Sequence, residues 1–285
     1  MSHALNGTTA IVTVSYNSSN QLNAFIDSLN EAGDDIDAVV IADNASRDVD
    51  ITKRIALAKD VRVLCLESNR GYGGAINQAV KTLSPQITSI LICNPDVLMS
   101  RGSINGLKET LDRDPRIACV GPRIVDGDGT TYPSARRIPS LRIGIGHALF
   151  VGVWPGNPWT RMYHADKVVA ARDVDWLSGA CLLVRRDAFD TVGGFDEGYF
   201  MYFEDVDLGY RLGKAGFRNR YEPSVTVTHF GGLSTASVSK KMIVAHHLSA
   251  YRFLAKKYHS PFLLPLRVVL RVGLTARAWL LTHKK

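Results

Sequence analysis

Residues 198–212, GYFMYFEDVDLGYRL, set Glu204, Asp205 and Asp207 directly behind a run of aromatic side chains and a methionine. A carboxylate loses hydration against such neighbours, so it needs a partner or a chemical task. Helical spacing separates the three acids. At about 100° per residue, Asp207 lies about 40° from Arg211 and makes a favourable i,i+4 pair with it. Glu204 lies about 60° from Asp207; Asp205 lies about 160° from it and has no basic neighbour of its own. Asp207 is therefore read as structural. Asp205, at a helix start beside Phe203 and Val206, is a carboxylate whose pKa can be tuned for base catalysis. Acids also collect at helix N-termini for electrostatic reasons alone, and that reading stands beside the catalytic one.

A second set of polar residues ends a series of apolar runs: Ser15-Tyr16-Asn17, Asp43-Asn44, Glu67-Ser68-Asn69-Arg70 and Asn94-Pro95-Asp96. In an open α/β sheet, ligands bind beyond the carboxyl ends of the strands, so these four ends converge on one rim. Asp43 can accept hydrogen bonds from a nucleobase or ribose, or it can cap the following helix with Asn44. Arg70 beside Gly71, Gly73 and Gly74 suits a phosphate at a helix N-terminus, or else the glycines serve the turn. Their spacing and position after a third strand do not match a dinucleotide fingerprint. Pro95 breaks its strand and leaves Asp96 at the rim. One carboxylate plus a substrate diphosphate is the usual way Mg²⁺ is held, which makes Asp96 a candidate metal ligand. His229, ending the run VTVTH, is either a second ligand or an ordinary strand-end residue.

The elements that must position these groups follow from periodicity. TTAIVTVSY (8–16), DAVVIAD (37–43), VRVLCLE (61–67), SILICN (89–94) and RIACVG (116–121) read as buried strands, with helical segments between them. That alternation predicts an α/β fold, a doubly wound, mostly parallel sheet with helices on both faces. From Gly121 to about Asp175 the chain is rich in turns and reads as a long loop over the sheet. WLSGACLLV (176–184) returns as a strand, EDVDLGYRLGKAG as a helix stopped by Gly216, and a further helix follows at about 240–257.

Charge divides the chain. After Glu222 there is no Asp or Glu, while the last 63 residues carry ten Lys/Arg. Of the 34 basic residues, 24 remain for the rest, against 27 acids, so the whole excess of +7 lies in the C-terminal segment. FLLPLRVVLRVGLTARAWLL, with Arg267 and Arg271 one turn apart, reads as an interfacial helix on an anionic lipid surface, or as a helix packed on the domain. Its apolar content argues against a nucleic-acid arm. No run is long and apolar enough to predict a spanning helix, and no secretory leader is expected. The four cysteines, Cys65, Cys93, Cys119 and Cys181, lack metal-ligand spacing and are expected to be buried, reduced thiols of a cytoplasmic protein.

In this order, IVTVSYN, VVIADNAS, NRGYGGAINQA, ICNPD, WLSGACLLVRRDAFDTVGGFDEGYFMYFEDVDLGYRLGKAG and VTH resemble glycosyltransferase family 2, of the GT-A fold, over roughly residues 8–235. The resemblance implies an inverting transfer from a nucleoside diphosphate sugar. It places Asp43 on the base, with Asn44 beside it, and Ser15 and Tyr16 on the nucleotide. Arg70, Gly71, Gly73 and Asn94 fall on the donor side. Asn94-Pro95-Asp96 stands at the D-x-D metal motif, with Asn94 where an Asp is usual, and implies a divalent cation (Mg²⁺ or Mn²⁺) held by Asp96 and His229. Asp205 matches the catalytic base; Glu204 is the second choice for that role, or a helper to acceptor hydroxyls. Residues 1–235 would form the transferase domain, 1–120 its nucleotide-binding half and 121–235 its acceptor half, and 236–285 a helical, basic, membrane-associating extension.

YPSARRIPSL, WPGNPWT and FMYFEDVDLGYRLGKAG are further similar to rhamnosyltransferases of the mycobacterial cell-wall linker. These imply dTDP-L-rhamnose as donor, a decaprenyl-diphosphate-linked N-acetylglucosamine as acceptor, and a place on the cytoplasmic face of the plasma membrane. A family 2 enzyme with another donor or acceptor is the alternative. A dimer is left open, and no nucleic-acid partner is expected.

Overall fold

The computed structural model describes residues 7–138, 154, 169–230 and 240–283. Most of the loop expected to shape the acceptor side, the proposed boundary at 235, and Lys284 and Lys285 lie outside the described residues. Its strands are β1 (Thr8–Ser15), β2 (Ala38–Asp43), β3 (Arg62–Cys65), β4 (Ile87–Cys93), β5 (Val97–Leu98), β6 (Ile117–Asp126), β7 (Thr131–Tyr132), β8 (Ala135–Arg136), β9 (Arg172–Val174), β10 (Trp176–Leu177), β11 (Cys181–Arg185) and β12 (Arg218–His229). The helices are α1 (Ser19–Ala32), α2 (Val49–Ala58), α3 (Gly71–Lys81), α4 (Ser103–Asp112), α5 (Arg186–Thr191), α6 (Glu204–Lys214), α7 (Lys240–Lys257) and α8 (Leu264–His283).

Ten strands form one sheet in the order β3-β2-β1-β4-β11-β6-β12-β5, with β7 and β9 paired at its side. β1, β2, β3 and β4 are parallel, as the strand–helix alternation predicts, and β12 runs parallel to β6. β11 is antiparallel to both its neighbours and joins the two halves. Alternation along β1 feeds both sides of the sheet. Ala10, Val12 and Val14 pack with Ala75, Ile76 and Val80 of α3, whereas Ile11 packs with Leu22, Phe25 and Ile26 of α1. Burial on both faces is what makes these strands nearly continuous apolar runs. The exception is β3, an edge strand with exposed ends. Cys65 is consequently exposed, contrary to expectation; Cys93, Cys119 and Cys181 are buried free thiols.

The C-terminal helices form a layer of their own. Phe253 of α7 is fully buried against Tyr199, Val206 and Phe203, and α8 lies along α7. Polar ties reinforce this docking: Lys256 Nζ reaches Asp207 Oδ1 at 2.7 Å, and Arg252 reaches Asp196 at 2.8 Å. Among the described residues no helix is long and apolar enough to cross a membrane.

Candidate active site

Ser15 and Asp43 are register partners at the ends of β1 and β2, both fully buried. The two loops that follow are tied together: Asn44 N donates to Ser15 O at 2.9 Å, and Arg47 N to Asn17 Oδ1 at 2.9 Å. Asn17 accommodates the bend at φ 53°, and the Tyr16 ring stands 53% exposed above the rim. Asp43 does not cap α2, whose N-cap is Asp48. Its Oδ1 accepts from Ser46 N at 2.9 Å within the turn after β2, while its Oδ2 is buried without a partner among the described residues. A buried acceptor with nothing to accept calls for a donor from outside the chain.

Asn44 turns inward. Its amide donates to Asn69 Oδ1 (3.0 Å) and Gly71 O (3.1 Å), and its carbonyl accepts from Arg70 N (2.8 Å). It thereby sets the loop entering α3 and leaves the Arg70 side chain exposed. Gly71 has φ +73°, and a Cβ there would lie 2.1 Å from Phe200 O; one on Gly73 would lie 2.7 Å from Phe195 Cβ. The glycines thus let α3 approach the 195–204 segment closely.

The strand ends β4 and β12 bring Asn94, Asp96 and His229 together. His229 Nε2 is 3.0 Å from Asp96 Oδ1 and 3.5 Å from Asn94 Nδ2, and the His229 and Asp96 side chains are largely buried. Pairing of β12 with β5 fixes this meeting, opposing His229 to Val97. Among the described residues no group of three or more His, Cys, Asp or Glu could hold a metal alone. One carboxylate and one imidazole match a cation that completes its shell with diphosphate oxygens and water.

Glu204 and Asp205 open α6 at a strained corner: Tyr202 and Phe203 both have φ 67°, unusual for aromatic residues. Such strain is held only where the surroundings over-determine it, and it collects at functional sites. Here the Phe203 ring lies between His246 and Phe253 of α7, at 5.4 and 5.9 Å, and Met201 O accepts from Ser249 Oγ at 2.8 Å. Asp205 remains partly exposed. Its Oδ2 accepts from Gly179 N at 3.0 Å and its Oδ1 from Val206 N at 2.8 Å. Burial raises its pKa despite those bonds, with Arg136 opposing the rise. Glu204 is buried, and its Oε2 has no partner among the described residues. Desolvation and the neighbouring Asp205 push its pKa up to about 8, so at neutral pH it is mainly protonated. The two acids differ in their bonding: Asp205 is half-buried with both carboxylate oxygens held by backbone N–H groups, and Glu204 is buried with Oε2 unpartnered among the described residues. Asp207 is structural, as the helical angles require. It is fully buried, with Arg211 Nε at 2.6 Å and Lys256 Nζ at 2.7 Å.

Three further residues belong to this site. Tyr72 Oη donates to Gly179 O at 2.7 Å, so the 179 peptide spans from α3 to Asp205. A Cβ on Gly179 would lie 3.3 Å from the Tyr72 ring. Arg136 lies over the rings of Tyr132 and Trp176, at 6.0 and 5.7 Å, and the Tyr132 ring meets His229 edge-on at 6.3 Å. NRGYGG, WLSG and YPSARR carried these residues, but partners 107 positions apart leave no periodic signal.

Residues 10–193 match the glycosyl transferase family 2 model. The chain is 42% identical over 283 residues, 96% of its length and 92% of the relative's, to the N-acetylglucosaminyl-diphospho-decaprenol L-rhamnosyltransferase of Mycobacterium tuberculosis. It is 44% identical over 84 residues, 30% of the chain and 32% of the relative, to a rhamnosyltransferase of Escherichia coli. The structure superposes with TM-score 0.60 and 15% identity on a Pyrobaculum calidifontis mannosyltransferase in complex with GDP-mannose and Mn²⁺, covering 95% of this chain and 74% of that one. That likeness carries the expected GT-A architecture, and with the family match it leads to one conclusion: the chain belongs to glycosyl transferase family 2 and is a glycosyltransferase.

Proposed function

We propose that this enzyme transfers L-rhamnose, with inversion, from dTDP-L-rhamnose to N-acetylglucosamine carried on a polyprenyl diphosphate, at the cytoplasmic face of the plasma membrane. The observation that carries this reading is the end-to-end match to the mycobacterial rhamnosyltransferase, which covers the site and the C-terminal helices alike. The unpaired Oδ2 of Asp43 accepts the imide N–H of the thymine, with the Tyr16 ring exposed beside it. Arg70, whose backbone Asn44 holds, extends toward the donor phosphates. Asp96 and His229 would hold a divalent cation, Mg²⁺ or Mn²⁺, with Asn94 beside them. When bound, it would offset charge developing on the departing diphosphate.

Asp205 takes the proton from the acceptor hydroxyl as that oxygen attacks the anomeric carbon, and the bond to the diphosphate breaks on the opposite face. Burial raises its pKa, which strengthens it as a base toward the acceptor hydroxyl. The Gly179 N–H orients the carboxylate. Neutral Glu204 keeps a second negative charge out of the same space and is placed to help position acceptor hydroxyls. Peripheral association is supported by α8, where Val268, Val269, Val272 and Trp279 are each more than half exposed, and Phe262 just before it is 93% exposed. Arg267 tethers that helix, donating to Tyr258 O and Ser260 O at 3.0 Å, and Arg271, which is exposed, lies 5.8 Å from the Tyr251 ring.

The test is product formation from dTDP-rhamnose and a prenyl-diphosphate N-acetylglucosamine, beside calorimetric titration of dTDP and UDP. Transfer of rhamnose with tighter dTDP binding is the expected result. Preference for UDP, or transfer of another sugar only, would overturn the donor assignment.

A further inference from the structure

A cleft of about 850 Å³ opens between α7, the last turn of α8 and residues 198–200. Its size is that of a small-molecule site, and it is separate from the strand-end rim. The lining is amphiphilic in a definite way. Phe200, Val244 and Leu248 give it an apolar wall, and all three are exposed. Lys240 and Lys241, in the first turn of α7, lie on the same cleft with Arg252. No acidic residue stands in that first turn. Two cations at a helix N-terminus repel the positive end of the helix dipole and gain from an anion placed there. Among the described residues neither lysine has a carboxylate partner within ion-pair distance; Arg252 has Asp196.

The cleft also shares a wall with the catalytic corner. Phe200 O accepts from Tyr72 N at 3.2 Å, and Tyr72 is the residue that reaches Gly179 beside Asp205. Ser249, which lines the cleft, bonds Met201 O just ahead of the strained Tyr202 and Phe203.

We propose that this cleft is the lipid subsite of the acceptor: the apolar wall takes the isoprene units nearest the head, and Lys240 and Lys241 meet the diphosphate. The proposal rests on the acceptor reading above. The occupant is an amphiphile with a branched apolar tail and a diphosphate head, and the charge and apolarity of the cleft are complementary to both ends. Occupancy then bears on the 198–203 segment and steadies the corner from which Asp205 projects.

The test compares two water-soluble acceptors, N-acetylglucosaminyl diphosphate carrying a farnesyl or a methyl group, in full-length wild type, Leu248→Asp and Lys241→Glu. Leu248 is 63% exposed, so its replacement leaves the fold intact. Leu248→Asp should raise KM for the farnesyl acceptor by about tenfold or more, as expected for several methylenes losing apolar contact, with the methyl acceptor unchanged, whereas Lys241→Glu faces the diphosphate that both acceptors carry and should raise KM for both. An equal effect of Leu248→Asp on both acceptors, or no effect of either variant on the farnesyl acceptor, overturns the subsite. A photoreactive farnesyl diphosphate, mapped by peptide mass spectrometry, gives a readout independent of turnover. Labelling of residues 242–252, displaced by farnesyl diphosphate and not by phosphatidylglycerol vesicles, supports the proposal. Labelling elsewhere, or displacement by the vesicles, rejects it. If wild type transferred to neither acceptor while the cleft was still labelled, the acceptor reading would fall and the subsite would stand.

Discussion

Glu204 and Asp205 are adjacent in sequence, and burial raises the pKa of both, with a different consequence for each. Glu204 has a folded pKa of about 8, above its ordinary 4.5. The stability it contributes is therefore fully present below about pH 4.5 and is lost as pH rises through about 8. Glu204→Gln removes that dependence. The variant should match wild type in melting temperature at pH 5 and exceed it by about 2 °C or more at pH 8.5, read by calorimetric scans. A variant uniformly less stable across that range would show Glu204 to be ionised and paired. For Asp205 the prediction is kinetic. Its pKa is raised by burial, so kcat/KM should fall as pH drops through a value above the ordinary carboxylate range. Asp205→Asn should retain dTDP binding and lose about 10²–10⁴-fold in transfer, with that acid limb abolished. Near wild-type turnover would remove Asp205 from the base role.

At the scale of elements, the site depends on how closely α3 approaches the chain ahead of α6. Gly71→Ala places a methyl group 2.1 Å from Phe200 O and forces an L residue to φ +73°. The backbone cost alone is about 1–2 kcal/mol, and the displaced 200–203 segment should carry Asp205 with it. A lower melting temperature with a larger loss in kcat than in dTDP affinity is the expected pattern; stability loss with full kcat would separate the two. The first four strands and helices were legible because β1, β2 and β4, buried on both faces, are runs of apolar residues and the helices between the strands show amphipathic periodicity. Asp43, Asn94, Asp96 and Asp205 were legible because polar groups at strand and helix ends stand out against such runs. Tyr72, Gly179 and Arg136 were not, because their roles arise from contacts between distant segments. The antiparallel β11 was equally hidden, since a short apolar run reads the same in either direction. Cys65 was misjudged because burial depends on a strand's place in the sheet, and β3 lies at its edge.

Across the whole molecule, the C-terminal helices join the catalytic layer to whatever surface α8 meets. α7 is part of the folded core: Lys256 and Arg211 share the fully buried Asp207, so Asp207→Asn leaves Arg211 facing a neutral group while Lys256 keeps Asp196. Breaking such a pair costs about 3–5 kcal/mol, which should appear as a lower urea midpoint. α8 differs, because Val269 and Val272 are 67% and 64% exposed. Replacing both with Asp should leave the urea midpoint and transfer to the methyl acceptor within error of wild type. Flotation with phosphatidylglycerol vesicles should fall sharply, because the change removes apolar contact and adds two negative charges near an anionic surface. Added salt should weaken flotation of wild type as well, through screening of the basic segment. If the double variant floated like wild type, the exposed face of α8 would not be the membrane contact. If instead it lost transfer to the soluble acceptor, the face would be supporting α7 and the corner that holds Asp205.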